Sequence, residues 1–294
     1  MKRILSLIMF LFFVSCASSH ICLKNKPLER LQAPMGKVLV VVAHQDDELF
    51  ILSRLKQHLE LKDTIFIVWT TASFQKGKKY ADRRIKESLE GIKRLGIPRE
   101  NCKFLLFQDG KTHLKMNKII VKLKQFISKH SPDCIYVHAY EGGHIDHDVA
   151  HYSTVKALEE LDLKSTVYEF PVYSAYKLSK IFPFKMRNFP PNLGTQCRKL
   201  SEQEYDFVLK YRQIFKSQRF PFGFYVSLFP GKKRTYGIEY LRTLPQYDYL
   251  KIPPGYQIAY KRFLWGTNFD DFKNAVLKNQ KNTHSKLFNG KTHR

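Results

Sequence analysis

Two short polar clusters, far apart in the chain, carry side chains that could do chemistry. The first holds His44, Asp46 and Asp47, directly after the apolar run Val38–Ala43. A histidine and an aspartate three residues apart across a tight turn can bind one metal ion, which leaves Asp46 free as a base. An acidic helix cap is the alternative for an isolated pair of aspartates, but it does not account for the histidine at the end of the run.

The second cluster supplies the further ligand that a metal ion would need. His144 and His147 follow the apolar run Cys134–Val137, and Gly142 and Gly143 lie between. The glycines permit an unusual backbone and a close approach of another chain segment. Two histidines at this spacing are common by chance, but both clusters follow predicted strands of one sheet. That shared position indicates a metal site.

Strands and helices alternate along the first half of the chain. Apolar, β-branched runs predict strands, and 3.6-residue periodicity predicts helices. The predicted strands are 38–43, 64–71, 103–107, 133–138 and 166–170, and the predicted helices follow residue 48 and span 81–95, 116–129 and 147–161. This alternation predicts an α/β fold, a three-layer α/β/α sandwich around a mostly parallel, Rossmann-like sheet. Both clusters would then meet at the carboxyl edge of that sheet.

Both clusters resemble the motifs of a known enzyme family. Residues 43–48, AHQDDE, are similar to the A-H-P-D-D-E signature of the PIG-L (LmbE-like) N-acetylglucosaminyl de-N-acetylases. Residues 143–147, GHIDH, resemble that family's downstream G-H-x-D-H. The resemblance implies an LmbE-like fold and a bound zinc ion, with Fe²⁺ as an alternative metal. The implied ligands are His44, Asp47 and His147.

The resemblance also implies roles for the residues around the ligands. Asp46 would be the general base. His144, oriented by Asp146, would stabilise the oxyanion or protonate the leaving amine. Gln45 stands where the family usually has proline, and because this position carries no ligand we expect a change in turn rigidity without loss of chemistry.

Two further stretches resemble the family and imply residues that bind substrate. Residues 84–87, RIKE, lie in a predicted helix, and residues 107–110, FQDG, follow a predicted strand. The resemblance implies that Arg84 and Asp109 bind sugar hydroxyls. Without it, Arg84 and Glu87 would be interpreted as a surface ion pair and Asp109 as a turn residue.

The resemblance implies a zinc-dependent hydrolase that removes the N-acetyl group from an N-acetylglucosamine-type sugar, and the export signal described below favours an envelope glycan or glycolipid as its substrate. Two alternatives stay open: a metal-dependent amidase of a small sugar or thiol conjugate, and a non-catalytic glycan- or polyanion-binding lipoprotein. The complete ligand set together with Asp46 favours an enzyme.

The N-terminus has the pattern of an export signal. A basic start, residues 1–3, precedes the apolar core of residues 4–14, which is too short to span a bilayer as a mature helix. Cys16 follows in a sequence that resembles a bacterial lipoprotein cleavage site, so we expect residues 1–16 to be the signal and Cys16 to be lipidated. The predicted location is a membrane-anchored lipoprotein of a bacterial cell envelope, with a periplasmic or secreted soluble protein as the alternative.

Four cysteines remain after the signal. Cys22, Cys102, Cys134 and Cys197 have no spacing typical of a zinc knuckle. Cys102 and Cys134 lie in or beside predicted strands. We expect core thiols, and a disulfide in an exported protein is the alternative.

The remaining divisions are a linker at 17–36, a metal-binding core at 37–175, and a basic, aromatic-rich elaboration of the same domain at 176–294. In the last part, loops and short strands are expected to cover the catalytic layer, and only 202–218 has a clear helical period.

The last part of the chain is also strongly basic. From residue 177 onward there are 23 lysines and arginines and 7 acidic residues, which gives a net charge of +16 out of the chain's +24. Such charge attracts an anionic envelope polymer or lipid surface. No nucleic acid is expected, because an export signal argues against it.

Overall fold

The computed structural model describes residues 26–174, 185–186, 194–218, 236–255, 257–262 and 266–289. Its strands are β1 Lys26–Pro27, β2 Lys37–Val42, β3 Thr64–Ala72, β4 Cys102–Gln108, β5 Cys134–His138, β6 Thr166–Phe170, β7 Tyr173–Ser174, β8 Lys185–Met186, β9 Gln196–Lys199 and β10 Ile238–Thr243. Its helices are α1 Leu52–Glu60, α2 Lys78–Arg94, α3 Met116–His130, α4 Ile145–Leu161, α5 Glu202–Arg212 and α6 Phe269–Asn289.

Most strands form one sheet in the order β1-β9-β10-β6-β5-β2-β3-β4. The five predicted strands are β2 to β6, and each pairs in parallel with its neighbours among them. β10 is antiparallel to both β6 and β9. The predicted mostly parallel sheet is therefore confirmed.

Helices cover both faces of this sheet because the central strands are apolar on both sides. In β2, Val38, Val40 and Val42 pack on the face that α1, α2 and α5 cover. Leu39 and Val41 pack on the opposite face, with α3, α4 and α6. The result is the predicted α/β/α sandwich.

The two polar clusters leave adjacent strands. β2 and β5 are hydrogen-bonded neighbours, with Val41 opposite Val137. The chain that follows Val42 and the chain that follows His138 therefore emerge side by side at the carboxyl edge of the sheet.

The sheet extends further than the sequence predicted, because β9 and β10 lie in the region expected to form covering loops and short strands. β10 was not predicted from the sequence. It contains Glu239 and Arg242, and charged residues are typical of exposed positions, but both are only 1% exposed. Glu239 pairs with Arg54 and Arg198, and Arg242 pairs with Glu169. Buried charges are tolerated when they are paired in this way.

The predicted helix at 202–218 is shorter than expected. α5 ends at Arg212, and Lys216–Gln218 form a separate 3₁₀ turn. Ile214 and Phe215, consecutive in sequence, are both buried between these two elements. A continuous helix would direct neighbouring side chains about 100° apart, so the break lets both reach the core.

The cysteines divide between the two expectations. Cys102 and Cys134 are buried free thiols, as predicted. Cys197 is disulfide-bonded, which is the alternative for an exported protein. Residues 1–16, with Cys16, lie outside the described residues, and the division into signal, linker, core and elaboration stays a prediction. Within the described part of the chain, no helix combines the length and the apolar character needed to cross a bilayer.

Candidate active site

The loop after β2 holds the first cluster in a strained turn. Asp46 adopts φ 102, a left-handed conformation that aspartate tolerates better than most residues. A 3₁₀ helix then starts at Asp47, and the Asp46 side chain makes no capping hydrogen bond. The cap interpretation is therefore wrong for Asp46. Instead, the turn places the two carboxylates in different surroundings.

Three of the predicted ligand atoms form a nearly equilateral triangle. His44 Nδ1 lies 3.2 Å from His147 Nε2 and 3.3 Å from Asp47 Oδ2, and His147 Nε2 lies 3.4 Å from Asp47 Oδ2. Tetrahedral zinc with bonds of about 2.0–2.2 Å holds its ligand atoms about 3.3–3.6 Å apart. All three side chains are buried. The donor types and their separations fit one zinc ion bound on three protein ligands.

The glycine pair lets a neighbouring segment lie against the second cluster. Gly142 has φ 66, which favours glycine. A Cβ on Gly143 would lie 1.7 Å from the main-chain oxygen of Tyr173, so no side chain fits there. The Tyr173 ring consequently lies 5.0 Å from the His147 ring and 6.0 Å from the His144 ring, measured between centroids. The expected close approach is confirmed.

His144 caps the helix that carries His147. It is the N-cap of α4, and its side chain accepts a hydrogen bond of 3.1 Å from the Asp146 main-chain N–H at Nδ1. Because Nδ1 accepts, the proton of the neutral ring is on Nε2. Burial holds the pKa of His144 well below its ordinary value, which keeps the ring neutral. His144 can therefore donate one hydrogen bond from Nε2.

Asp146 holds His144 through its main-chain N–H, whereas its carboxylate lies closer to His44. Its Oδ2 lies 3.1 Å from His44 Nε2 and 3.9 Å from His144 Nδ1. It also accepts hydrogen bonds from the Gly110 main-chain N–H and the Thr112 hydroxyl. Asp146 thus orients a predicted metal ligand, as carboxylates commonly do for metal-bound histidines, and connects it to the loop after β4.

A second hydrogen-bonded chain runs from the predicted base to the predicted substrate residues. Arg84 donates to Asp46 Oδ1 at 2.9 Å and to Ser73 Oγ at 2.8 Å. Ser73 in turn donates to Asp109 Oδ2 at 2.7 Å. Burial raises the pKa of Asp46 to about 7, with the Arg84 cation opposing the rise. The structure therefore brings Arg84 and Asp109 to the site, with Arg84 committed to Asp46.

The comparison with known families agrees with this geometry. Residues 39–158 match the family model described as PIG-L, GlcNAc-PI de-N-acetylase. Residues 39–158 form a PIG-L domain. This span contains both polar clusters, and therefore His44, Asp47 and His147, which supply the three predicted ligand atoms.

Solved structures share the fold of the PIG-L domain at low sequence identity. A40926 pseudoaglycone deacetylase Dbv21 is 13% identical, with a TM-score of 0.56 over 72% of this chain and 98% of its own. The N,N'-diacetylchitobiose deacetylase of Pyrococcus horikoshii is 16% identical, with a TM-score of 0.52 over 73% of this chain and 87% of its own. The 4-carboxy-2-hydroxymuconate hydratase GalB of Pseudomonas putida KT2440 is also 16% identical, with a TM-score of 0.50 over 72% and 98%. No curated protein matches the chain significantly. At these identities the likeness concerns the fold, and a hydratase has it as well.

Three residues of the PIG-L domain lie at the site although the sequence did not single out a role for them there. His138 Nε2 lies 3.1 Å from Asp47 Oδ2, and its ring stacks on that of His147 with centroids 3.8 Å apart. Gln45 donates to the Thr71 carbonyl, which ties the β2 turn to β3. Ser73 connects Arg84 to Asp109. His138 shared one signal with His44, since both lie at the carboxyl end of a buried strand.

Elements from outside the PIG-L domain help to line a small cavity beside the base. The cavity has a volume of about 60 Å³ and borders Asp46. Its other lining residues combine apolar, aromatic and polar side chains: Leu49, Arg212, Gln213, Phe215, Gln218 and Tyr236. Ser217, beside it, donates to Glu87 of α2 from both its main-chain N–H and its hydroxyl. The segment after α5 is therefore fastened next to the site.

Proposed function

We propose that this protein is a zinc-dependent hydrolase that removes the N-acetyl group from an N-acetylglucosamine-type sugar of an envelope glycan or glycolipid. The observation that carries the proposal is the triangle of His44, Asp47 and His147 ligand atoms with Asp46 and His144 beside it. The match to a family described as a de-N-acetylase supports the same reaction.

The three ligand atoms of the triangle fit a zinc ion, and zinc bound there would contribute chemistry of its own. Zinc held there supplies Lewis-acid chemistry, acidifying water and polarising a carbonyl group. Asp46 accepts a proton from the water that attacks the acetamide carbonyl. Arg84 fixes Asp46 Oδ1, so the carboxylate is held in one orientation for this transfer. A correctly placed base of this kind contributes about 10²–10⁴ in rate.

His144 stabilises the opposite side of the reacting group. With Nδ1 occupied by the Asp146 main-chain N–H, the proton of the neutral His144 ring is on Nε2. His144 donates a hydrogen bond to the oxyanion as negative charge develops there, and Asp46 then passes the proton that it took from water to the departing amine. Acetate and a free amino sugar are the products.

Asp109 is the residue we assign to the sugar. Its Oδ2 is occupied by Ser73, whereas its Oδ1 is buried and has no hydrogen-bond partner among the described residues. A buried acceptor in that state is costly unless a ligand or water satisfies it. A sugar hydroxyl would do so, and the cavity beside Asp46 gives the substrate further contacts.

We propose a membrane-anchored lipoprotein of a bacterial cell envelope as the location. The lipoprotein-like sequence before Cys16 motivates this, and the disulfide at Cys197 supports an oxidising compartment. The strongly basic chain would also associate with an anionic envelope polymer or lipid surface.

Acetate release tests the proposed reaction. The zinc-loaded protein and an Asp46→Asn control would be compared on N-acetylglucosamine oligomers, on N-acetylated envelope glycolipids and on small N-acetylated thiol conjugates. Release from the sugars, lost in Asp46→Asn with zinc content unchanged, is the expected result. Hydrolysis of small conjugates alone would instead identify the amidase alternative, and binding of glycans without acetate release would identify a non-catalytic protein.

A further inference from the structure

Large apolar side chains are exposed around the ends of β3 and β4. Phe74, just after β3, is 39% exposed, and Leu114, just after β4, is 64% exposed. Leu106, near the end of β4, is 46% exposed. Isolated exposed leucines need no explanation, but these three lie on two neighbouring strands and their loops.

The exposure of Leu106 is built into the sheet. Its φ of 64 is an outlier for a bulky residue, and the β3–β4 register shifts at this place, between Trp69 and Thr71. Leu105 remains in the core while Leu106 is turned outward. A bulge on an edge strand commonly re-aims a side chain in this way. The outward leucine is therefore a fixed feature of the strand.

The same loops are uniformly basic. Residues 73–81 and 110–115 contain five lysines and no aspartate or glutamate. At the opposite, amino edge of the sheet, acidic residues accompany the lysines: Glu60 and Asp63 precede β3, and Glu159, Glu160 and Asp162 precede β6. We call the exposed side chains at the β3–β4 end the lysine–apolar rim: Phe74, Lys76, Lys78, Lys79, Leu106, Leu114 and Lys115.

The rim is adjacent to the candidate active site in sequence and in the sheet. Phe74 follows Ser73, which connects Arg84 to Asp109. Leu114 comes two residues after Thr112, which donates to Asp146. Loops after neighbouring parallel strands share one edge of a sheet, so the rim and the metal triangle lie at the same carboxyl edge.

We propose that the lysine–apolar rim docks on the surface of an anionic phospholipid bilayer. The lysines match the negative headgroups, and the apolar side chains enter the boundary between headgroups and acyl chains. A soluble polyanion would match the lysines but would gain nothing from the phenylalanine and leucines. Resting on the proposed function, docking would present the site to an N-acetylated sugar carried on a membrane lipid.

Vesicle binding tests this surface without any substrate. The mature chain, residues 16–294, would carry Cys16→Ser so that no lipid on that residue contributes. Binding is measured by co-sedimentation with vesicles of phosphatidylglycerol and phosphatidylcholine, and with phosphatidylcholine alone. One variant replaces Lys76, Lys78, Lys79 and Lys115 by glutamine. Its matched control replaces four exposed amino-edge lysines by glutamine: Lys62, Lys93, Lys129 and Lys164.

A second pair of variants tests the apolar part of the rim. Phe74→Ala with Leu114→Ala removes it, and Val121→Ala, at a position 49% exposed on α3, is the control. We expect strong binding to the anionic vesicles only, at least tenfold weaker in both rim variants and changed less than threefold in both controls. Since a lysine near such a surface contributes about 1 kcal/mol, about fivefold, the four-lysine variant has ample margin.

Two outcomes would overturn the proposal. Equal loss in the rim and amino-edge lysine variants would mean that net charge alone drives binding. Unchanged binding after the apolar truncation, with tight binding to soluble polyphosphate, would mean a polyanion site. Acetate release from a soluble N-acetylglucosamine oligomer should be the same in all variants, so a failure of the proposed reaction is distinguished from a failure of docking.

Discussion

The contact between Asp146 and His44 leads to a prediction about metal affinity. Asp146→Asn preserves shape but removes the charge and one acceptor oxygen. The carboxylate receives hydrogen bonds from His44 Nε2, the Gly110 main-chain N–H and the Thr112 hydroxyl, all of which are donors. In Asp146→Asn an amide nitrogen replaces one of the two oxygens. This nitrogen is itself a donor, so it cannot accept a hydrogen bond from the donor that faces it.

The size of the effect follows from the lost bond to the histidine. A hydrogen bond to a charged group is worth about 1.5–3 kcal/mol, and about 1.4 kcal/mol corresponds to tenfold. Zinc affinity should therefore fall about tenfold to a hundredfold, the range seen when partners of metal ligands are removed elsewhere. Competition with a chromogenic zinc chelator measures this directly, without any assay of turnover.

His144→Ala provides the matched comparison, because in our interpretation its ring is a donor to substrate and not a ligand. It should retain zinc and lose activity. The reasoning would be refuted if Asp146→Asn bound zinc normally while His144→Ala bound it weakly. That pattern would make His144 the ligand, a geometry the cluster allows since its ring also lies near His44 and His147.

Four further predictions address the base, a buried acid, the anchor and the basic region. Asp47→Ala should lose zinc, whereas Asp46→Asn should keep zinc and lose about 10²–10⁴ in turnover; metal analysis beside acetate release checks both. Burial raises the pKa of Glu141 from 4.5 to about 8, so the folded state keeps a proton that the unfolded state releases. The free energy of unfolding should then fall as pH rises from about 5 to 8, by up to about 1.4 kcal/mol per pH unit, and Glu141→Gln should lessen that fall in denaturant titrations. Cys16→Ser should release the protein from membrane fractions washed with high salt, which screens the charge-dependent docking of the rim, or block its processing, and unchanged attachment without lipid would reject the lipoprotein. Finally, kcat/KM on an anionic polymer should fall steeply with salt while that on a neutral oligomer does not, and neutralising Lys232–Arg234 should flatten the difference; equal slopes would assign the charge to another role.

The core of the fold was predictable because its signals are local. β2 and β5 are runs of apolar, β-branched residues buried on both faces, and such runs form central parallel strands. β10 was missed because the burial of Glu239 and Arg242 depends on partners in other elements. Residue type alone cannot reveal a charge that is neutralised across the sheet.

The ligand triangle could be anticipated, but the connections around it could not. His44, Asp47 and His147 lie on two turns that any parallel arrangement of β2 and β5 brings together. The contact of the Asp146 carboxylate with His44 could not be predicted, because it joins residues 102 positions apart and depends on how the two turns meet. His138 contacts Asp47 because of the register in which β5 pairs with β2. That register cannot be predicted from the local sequence.

Gly143 lets the Tyr173 segment pack directly against the two histidines of the site. The main chain at Tyr173 already touches the glycine, so the wall that this segment forms over the two histidines is as close as atoms permit. A side chain at this position would require the Tyr173 segment or the glycine loop to move. Room for a bulkier N-acyl group could thus be selected through a residue that is neither a predicted ligand nor the predicted base.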